Sequence, residues 1–412
     1  MFGIVLITAC TVMQVYVLWR AASTPLMARP VPRRVLFGIC VGLWAIFVLA
    51  HVFGHDSTGD LSTALELIGM TWMAMLFLAS VALLAVDLVT GFGFWMRRQA
   101  PVLRACALGA GAALSAIALL QGLRPPVVQR YEVTLPELPK ELDGTVLVAM
   151  SDMHLGSLLG ERWLAARVAQ VQAEQPDLVV LLGDVVEGHG PPPDRLRLVL
   201  RGISAPLGQW AVAGNHESHG GNDAGMRLLE EAGFRVLHNR WAEVRPGLVL
   251  AGVDDFTSAH RLPGAGDDFI PRALAGRPPG AVILLSHTPW HAEQAAESGV
   301  GLMLSGHTHG GQIWPFGWLV GTRYPLLGGR YEADGMPVIV GRGTGTWGPR
   351  MRLWRPSEIL RITLRRAGGR FKDRFLTPVC CVDQVINVIF KVGSLLETVA
   401  ARQLRGLQVP FH

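Results

Sequence analysis

The 412-residue sequence has few charged residues: Asp, Glu, Lys and Arg make up 17% of it, whereas hydrophobic residues make up 50%. Soluble globular domains usually carry about 25% charged residues. This deficit predicts that part of the chain lies in lipid. The length predicts two or more structural units, which excludes a single small soluble domain.

Cysteine is scarce, and the region 125–370 contains none of the five cysteines. Three lie inside N-terminal apolar runs, and Cys380 and Cys381 are adjacent near the C-terminus. This distribution excludes a disulfide framework or a cysteine zinc site in that region. The sequence also lacks a Lys/Arg-rich stretch with interleaved aromatic residues. Although the net charge is +5, no nucleic-acid partner is therefore expected.

Four apolar runs occupy the first 124 residues. A membrane span requires about 20 apolar residues, and the first three runs are long enough, whereas the fourth is shorter and rich in small residues. Four such runs are difficult to shield from water within a soluble domain of this size. The sequence therefore predicts a transmembrane region over residues 1–124, with spans near 2–19, 35–54, 67–96 and 105–121.

Loop charges predict the orientation of these spans, because basic loops stay on the cytoplasmic side. Arginines lie between the first and second runs and between the third and fourth, whereas the loop after the second run has acids and no Lys or Arg. We therefore expect an integral protein of a bacterial inner (cell) membrane whose downstream domain is extracytoplasmic. If the fourth run does not span the membrane, the downstream domain lies on the cytoplasmic side instead.

Downstream of the spans, four prolines mark residues 125–144 as a linker. Short apolar, strand-like runs then alternate with amphipathic, helix-like runs. This alternation predicts an α/β domain over residues 145–370. Residues 371–412 are predicted to form an amphipathic tail, to which no function is assigned.

Five short segments with Asp, Asn or His follow strand-like runs in this domain. They are S-D-M-H at 151–154, G-D at 183–184, G-N-H-E at 214–217, S-H at 286–287 and G-H-T-H-G-G-Q at 306–312. Ligand sites in α/β sheets form at the carboxyl ends of the strands. We therefore expect the five segments to meet in one pocket, where their glycines permit sharp backbone turns.

The side chains in these segments have the chemistry of metal ligands. The candidate ligands are Asp152, His154, Asp184, Asn215, His287, His307 and His309, and His216 is one further imidazole. A mixed carboxylate and imidazole set suits Mn, Fe, Zn or Co better than Ca or Mg. Seven ligands are too many for one ion but suit two ions about 3.5–4 Å apart, which can hold a phosphate and activate its nucleophile.

In this order, D-x-H, G-D, G-N-H-E, an isolated His and G-H-x-H resemble the motifs of the calcineurin-like metallophosphoesterase family over residues 145–365. The longer run G-H-T-H-G-G-Q, with G-T-G at 343–345 and P-S-E-I at 356–359, is similar to a bacterial branch of membrane-associated phosphodiesterases. The resemblance implies a two-sheet sandwich flanked by helices on both outer faces (αββα).

The resemblance also implies a role for each site residue. The implied ligands of the first metal are Asp152, His154 and His309, those of the second are Asn215, His287 and His307, and Asp184 would bridge the two ions. His216 would not bind metal but would be catalytic, by protonating the leaving oxygen or stabilising the transition state. Glu217 stands where Asp is commoner in the family, and we interpret it as an acid that fixes the orientation of a histidine.

Two features near the last segment have two interpretations each. Arg342 and Arg350 either clamp a phosphate or lie on the surface. An apolar group either contacts the bilayer or an acyl chain, or simply packs in the domain; it consists of Trp314, Phe316, Trp318 and Leu319.

Together these observations predict a membrane-anchored, binuclear metal-dependent phosphoesterase that hydrolyses a phosphodiester, phosphomonoester or pyrophosphate. The resemblance extends the substrates to lipids and lipid-linked sugar nucleotides such as UDP-diacylglucosamine, although a cytosolic UDP-linked substrate conflicts with the predicted topology. The alternative is a membrane sensor or scaffold with a non-catalytic phosphoesterase-like domain. The complete ligand set argues against that alternative.

A transporter or channel with an accessory domain is a third hypothesis. The spans lack the polar residues that a pathway needs, apart from Asp87. Asp87 lies within three helical turns of Arg97 and Arg98, so we interpret it as a paired acid near the membrane interface. The spans are therefore expected to serve as an anchor.

Overall fold

The computed structural model of the chain describes residues 2–27, 30–54, 59–187, 194–218, 224–259, 266 and 268–367. The tail predicted at 371–412 lies outside these residues. The described part contains four apolar helices followed by a two-sheet α/β domain with helices on both outer faces. This confirms the predicted fold class.

Four long helices precede the first strand: α1 (Phe2–Ala22), α2 (Pro30–Leu49), α3 (Asp60–Val89) and α4 (Ala100–Gly122). Each is long and apolar enough to cross a membrane. A π-helical turn, Ala50–Gly54, continues α2. The third helix ends before residue 96 because the chain turns at Gly91 and Gly93, whose φ angles are 57° and 89° and therefore favour glycine.

Glycine brings neighbouring helices into close contact. A Cβ on Gly69 of α3 would lie 2.8 Å from the Cα of Phe47 in α2, and one on Gly111 of α4 would lie 2.9 Å from the Cα of Ala79 in α3. Small residues at such crossings let backbones approach within a lipid environment. These two positions therefore fix how α3 packs against its neighbours.

Asp87 is fully buried near the end of α3 and pairs with arginines from two other helices. Its carboxylate lies 2.6 Å from Nε of Arg20 in α1 and accepts a hydrogen bond of 3.0 Å from Nε of Arg104 in α4. A buried charge requires such partners. Asp87 is thus a paired acid, but its partners are these two arginines rather than those predicted from the loop between α3 and α4.

The first sheet has six strands: β1 (Val127–Leu135), β2 (Val146–Met150), β3 (Leu178–Leu182), β4 (Gln209–Val212), β5 (Arg235–Val236) and β12 (Glu358–Arg366). Their order is β1-β12-β2-β3-β4-β5. Strands β2 to β5 are parallel, and β12 is antiparallel to β2 but parallel to β1.

Strand β1 lies within the segment 125–144, for which the sequence predicts a linker. It pairs with β12 from Val127 opposite Glu358 to Leu135 opposite Arg366. Its sequence VVQRYEVTL carries polar residues in the middle because it is an edge strand with one partly exposed side. The flanking prolines bound the strand rather than a linker.

The second sheet also has six strands: β6 (Arg240–Arg245), β7 (Leu248–Gly252), β8 (Ala281–Leu285), β9 (Leu302–Ser305), β10 (Gly329–Ala333) and β11 (Met336–Val340). Their order is β10-β11-β9-β8-β7-β6. Strands β7, β8, β9 and β11 are parallel, and the two edge strands are antiparallel to their neighbours.

The remaining helices are short: α5 (Glu161–Ala173), α6 (Asp194–Leu200), α7 (Asn215–Ser218), α8 (Ala224–Glu231), α9 (Phe256–Ala259), α10 (Phe269–Leu274), α11 (Ala292–Glu297) and α12 (Phe316–Arg323). Turns of 3-10 helix cover Pro25–Met27, Lys140–Leu142 and His309–Gly311.

Three apolar clusters form the core of the α/β domain. Residues such as Leu147 and Ile283 fill the space between the two sheets. Helices α5, α6 and α8 cover the outer face of the first sheet through residues such as Leu164. Helices α9, α10 and α11 cover the outer face of the second sheet through residues such as Phe256.

Helices α3 and α4 pack directly against the α/β domain. One apolar cluster contains Ala74, Leu78 and Ala118 from the helices and Ile313, Met351 and Leu353 from the domain. The backbone N–H of Arg352 also donates to the carbonyl of Ala118 at 2.9 Å. Nearer the start of α3, the buried carboxylate of Glu66 accepts a hydrogen bond from the hydroxyl of Ser157.

Candidate metal centre

The five segments predicted from the sequence follow β2, β3, β4, β8 and β9. The first three strands are parallel neighbours in one sheet, and the last two are parallel neighbours in the other. Their carboxyl ends lie at the same edge of the sandwich, where crevices form in such folds. The structure thereby brings all eight predicted site residues together.

Five of these residues have left-handed backbone conformations: Asp152 (φ 52°), His154 (48°), Asp184 (52°), His307 (70°) and His309 (50°). Such conformations cost on the order of 1–3 kcal/mol each for residues other than glycine and concentrate at functional sites. They aim side chains from the strand ends into one space. The surrounding hydrogen bonds must hold them there.

Glycine is required where the strand ends meet. A Cβ on Gly214 would lie 2.2 Å from Oδ1 of Asp184, and one on Gly183 would lie 2.6 Å from the amide nitrogen of Gly214. Both distances are shorter than real contacts allow. The two glycines therefore let the turns after β3 and β4 touch.

The first group of ligand atoms comes from Asp152, His154 and His309, whose ligand atoms all lie within 4.8 Å of one another. Nε2 of His154 is 3.0 Å from Nε2 of His309, which is 3.6 Å from Oδ1 of Asp152. All three side chains are buried. Two imidazoles and a carboxylate converging in this way match the ligands that a transition-metal ion takes.

The second group comes from Asp184, His287 and His307, again within 4.8 Å of one another. Nε2 of His287 lies 3.2 Å from Oδ2 of Asp184, 3.1 Å from Nδ1 of His307 and 3.2 Å from Oδ1 of Asn215. Nδ1 of His287 donates to the carbonyl of Leu182 at 2.7 Å. With Nδ1 as the donor, Nε2 is the ring nitrogen that faces the group, as a ligand requires.

Asp184 connects the two groups through one oxygen atom. Its Oδ2 lies 3.2 Å from Nε2 of His287 in the second group and 3.8 Å from Nε2 of His154 in the first. Its Oδ1 accepts the backbone N–H of His216 at 2.9 Å, which fixes the carboxylate. The donor set thus fits two cations that share a carboxylate.

His216 lies beside both groups, half-buried on α7. Its ring meets the ring of His154 edge-on at a centroid distance of 4.8 Å. A ligand atom of His216 also lies within 4.8 Å of those of His154 and Asp184. This position allows proton transfer at the mouth of the site as well as direct contact with an ion.

Glu187 was missed by the sequence reasoning, although it follows Asp184 by three residues. Its Oε2 lies 2.5 Å from Nδ1 of His154, and its Oε1 lies 3.5 Å from Nδ1 of His216. Burial opposes protonation of His154, but the carboxylates of Glu187, Asp184 and Asp152 outweigh it and raise the pKa to about 9. Glu187 therefore orients one candidate ligand and the candidate catalytic histidine together.

The carboxylate of Glu217 corrects one prediction, because it holds backbone rather than a histidine. It accepts the N–H groups of Gly214 (2.8 Å), Asp184 (2.9 Å), Val185 (2.7 Å) and Val186 (3.2 Å). Burial and the neighbouring Asp184 raise its pKa. Glu217 thereby joins the turns after β3 and β4, and Glu187 takes the role that was predicted for it.

Arg352 is a second missed residue and is fully buried. Its guanidinium donates to the carbonyls of Gly345 (2.7 Å), Arg342 (2.8 Å), His309 (3.2 Å) and Arg355 (3.2 Å). It thereby ties the last ligand segment to the loop after β11. Burial lowers its pKa to about 10, so it stays charged at neutral pH.

The two arginines considered as phosphate clamps have other surroundings. The backbone N–H of Arg342 donates to Glu358 at 2.9 Å, and its guanidinium lies 3.5 Å from the same carboxylate. Arg350 is half-buried, and burial lowers its pKa. The pairing of Arg342 with Glu358 favours a structural role for Arg342.

Burial and neighbouring positive charges keep His307 and His309 neutral. Burial, and then the charge of His287, lowers the pKa of His307 to about 4. Burial, followed by His154 and Arg352, also lowers the pKa of His309 well below its usual value. A neutral imidazole can coordinate a metal ion without first losing a proton.

Comparison with known proteins identifies this arrangement. The sequence profile described as Calcineurin-like phosphoesterase matches residues 145–311. A zebrafish (Danio rerio) transmembrane protein with metallophosphoesterase domain is 36% identical over 62% of this chain and 61% of its own length. A protein of Aquifex aeolicus, described as an uncharacterized metallophosphoesterase, is 34% identical over 59% of this chain and 93% of its own length.

The chain therefore belongs to the calcineurin-like phosphoesterase family, which confirms the family predicted from the motifs. The family uses divalent metals and acts on phosphate esters. The match spans less than two thirds of the zebrafish protein, at 61% of its length. The apolar helices and the transmembrane relative together indicate association with a membrane.

Proposed function

We propose that this chain hydrolyses a phosphate ester at a centre of two divalent metal ions. The observation that carries the proposal is the position of Asp184, whose Oδ2 faces His287 at 3.2 Å and His154 at 3.8 Å. One carboxylate oxygen between two sets of imidazoles is the arrangement that a bridged pair of ions needs. Manganese, iron, zinc and cobalt all suit this donor set.

The proposed ligands divide into two sets. The first ion would be held by Asp152, His154 and His309, the second by Asn215, His287 and His307, and both by Asp184. Two ions at such a site supply phosphate binding, charge neutralisation and a nucleophile at neutral pH. The chain's own residues then have to orient the ester and move a proton.

His216 is the proposed catalytic residue. Its half-buried ring stands at the mouth of the site, and Glu187 lies 3.5 Å from its Nδ1. From this position the ring of His216 can donate a proton from Nε2 to the leaving oxygen. General acid catalysis of this kind contributes about 10²–10⁴-fold in rate.

The proposed substrates are phosphodiesters, phosphomonoesters and pyrophosphates, including those of lipids and of lipid-linked sugar nucleotides such as UDP-diacylglucosamine. The arginines that flank the connections between α1 and α2 and between α3 and α4 support a catalytic domain outside the cytoplasm. On the opposite side from those connections, the α/β domain contacts α3 near its start through Glu66 and α4 near its end through Gln121. A UDP-linked substrate would require the reverse orientation.

The test uses the full chain purified in detergent and loaded with Mn²⁺. We expect metal-dependent hydrolysis of bis(p-nitrophenyl) phosphate or p-nitrophenyl phosphate, and the preferred ester defines the class of bond. His216→Ala should lower kcat by about 10²–10⁴-fold while leaving the number of bound ions unchanged. His238→Ala, a half-exposed histidine elsewhere in the domain, is the matched control.

A metal-loaded wild-type protein that hydrolyses neither ester, nor a pyrophosphate or lipid phosphate, would contradict the proposal. The chain would then be a membrane sensor or scaffold that binds but does not turn over its ligand.

A further inference from the structure

Helix α12, directly after the last ligand segment, exposes large apolar side chains. Trp318 is 72% exposed and Leu319 63%, and Phe316 is also exposed. We call these three side chains the α12 face. Large exposed apolar groups that cluster on one short element mark a contact surface rather than an ordinary protein surface.

The α12 face adjoins a membrane-spanning helix. The ring of Phe316 meets the ring of Phe77 in α3 edge-on, with centroids 5.9 Å apart. Trp314, just before α12, packs against the same cluster as Phe77 and lies 5.6 Å from Trp318, ring to ring. The exposed face is therefore continuous with the lipid-facing surface of the spans.

The depth of this contact follows from helix lengths. Helix α3 has 30 residues, about 45 Å at 1.5 Å per residue, which exceeds a hydrocarbon core of about 30 Å. The buried pair of Asp87 and Arg104 lies at one end, so the overhang falls at the other, where Glu66 contacts the α/β domain. Phe77 lies ten residues, about 15 Å, before Asp87, so it lies within the span, and the α12 face beside it reaches the apolar part of the bilayer.

The same short helix reaches the metal centre. Tyr324 follows α12 directly, and its ring meets that of His307 edge-on at 4.7 Å. The ring of Tyr324 also stacks on that of Trp290, with centroids 5.4 Å apart. Arg323, in the last turn, lies 4.5 Å above Trp290. Leu319 of the apolar face thus precedes Tyr324, which contacts the candidate ligand His307, by only five residues.

We propose that the α12 face is seated in the bilayer that surrounds α3 and α4, and that the metal centre takes its phosphate ester from a lipid of that bilayer. Burial of these exposed side chains in lipid removes apolar surface from water. Because Tyr324 links the end of α12 to His307, a lipid phosphate at the membrane interface needs little displacement to reach the centre. The substrate part of this proposal rests on the proposed phosphoesterase function.

Seating in the bilayer is tested without any catalytic readout. A photoreactive p-benzoylphenylalanine replaces Trp318 in the full chain, which is reconstituted in vesicles of phosphatidylethanolamine and phosphatidylglycerol containing a fluorescent phospholipid. Leu120, exposed on α4, is the positive control, and Leu198, 61% exposed on α6, is the negative control. Lipid transfer at position 318 should approach that at 120 and exceed that at 198 by about fivefold. Transfer equal to that at 198 would overturn the proposal.

The substrate class is tested by a ratio of rates. Mn²⁺-loaded chain in vesicles is assayed on embedded phosphatidic acid and phosphatidylglycerol and on soluble bis(p-nitrophenyl) phosphate. The double variant Trp318→Ser/Leu319→Ser should lower the lipid-to-soluble ratio about tenfold, since lost insertion affects only bilayer substrates. Leu198→Ser should leave the ratio unchanged.

A wild-type chain that hydrolyses the soluble ester but neither lipid would overturn the lipid-substrate part, as would an unchanged ratio in the double variant. Failure of the phosphoesterase function gives a different pattern. Both rates are then absent in the wild type, while the lipid transfer at position 318 persists and still decides whether α12 lies in the bilayer.

Discussion

Oε2 of Glu187 lies 2.5 Å from Nδ1 of His154, on the side of the ring that faces away from the candidate metals. A carboxylate in this position fixes the tautomer and orientation of a metal-binding histidine. Because the same carboxylate lies 3.5 Å from His216, one side chain links metal binding to the proposed proton transfer.

We expect Glu187→Gln to weaken Mn²⁺ binding by about 10–100-fold, the usual effect of removing such a partner. Titration calorimetry on the full chain in detergent measures this affinity. Glu231→Gln, an exposed acid that pairs with Arg197 on the surface, should bind Mn²⁺ as the wild type does. Equal affinity in the two variants would show that Glu187 does not orient a ligand.

Glu217→Ala should destabilise the α/β domain, because four buried N–H groups lose their acceptor. With a cost of about 3 kcal/mol, the melting temperature should fall by roughly 6–12 °C. Differential scanning fluorimetry of the metal-free chain gives the shift. Glu217→Gln keeps an acceptor oxygen, so its melting temperature should lie between those of the wild type and Glu217→Ala. No shift in Glu217→Ala would contradict the assigned role.

Arg352→Met should also destabilise the α/β domain, in this case because buried carbonyl groups lose their donor. The variant keeps the apolar stem but leaves the carbonyls of His309, Arg342 and Gly345 without their donor, at about 1–3 kcal/mol for each unsatisfied group. Arg350→Met, at a half-buried arginine two residues earlier, is the matched control. Urea unfolding followed by tryptophan fluorescence compares the two. Equal urea midpoints for the two variants would show that the hydrogen bonds of Arg352 do not stabilise the domain.

His238 gives a dependence of stability on pH away from the metal centre. Its hydrogen bond to Asp254, at 2.9 Å, raises its pKa above 6.5. The resulting stability is fully present below pH 6.5 and is lost as the pH rises through the raised pKa. The melting temperature of the wild type should exceed that of His238→Gln below pH 6.5, and the difference should vanish as the pH rises. A difference that grows with pH would have the wrong sign.

The sequence predicted the ligand segments because their chemistry is local. Each ligand follows a short apolar run, and parallel strands of known order bring such positions to one edge. Glu187 and Arg352 escaped prediction because their roles arise from contacts across the fold, 33 and 43 residues away from His154 and His309. No local pattern marks an acid or an arginine that acts through such partners.

Strand β1 escaped prediction for a related reason. Its residues alternate less clearly, since polar side chains occupy its partly exposed side. Its pairing with β12 joins residues more than 200 positions apart, as in Val127 with Glu358. The proline-rich flanks of β1 suggested a linker, whereas pairing with β12 makes it part of the sheet.

The number of metal ions bound to the full chain tests the central claim most directly. After loading with Mn²⁺ and removal of free metal, inductively coupled plasma mass spectrometry should find two ions per wild-type chain. Asp184→Asn should retain at most one and should lose hydrolysis of bis(p-nitrophenyl) phosphate by at least about 100-fold. A wild-type chain with one ion, or an Asp184→Asn chain with two ions and undiminished turnover, would contradict a centre bridged by Asp184.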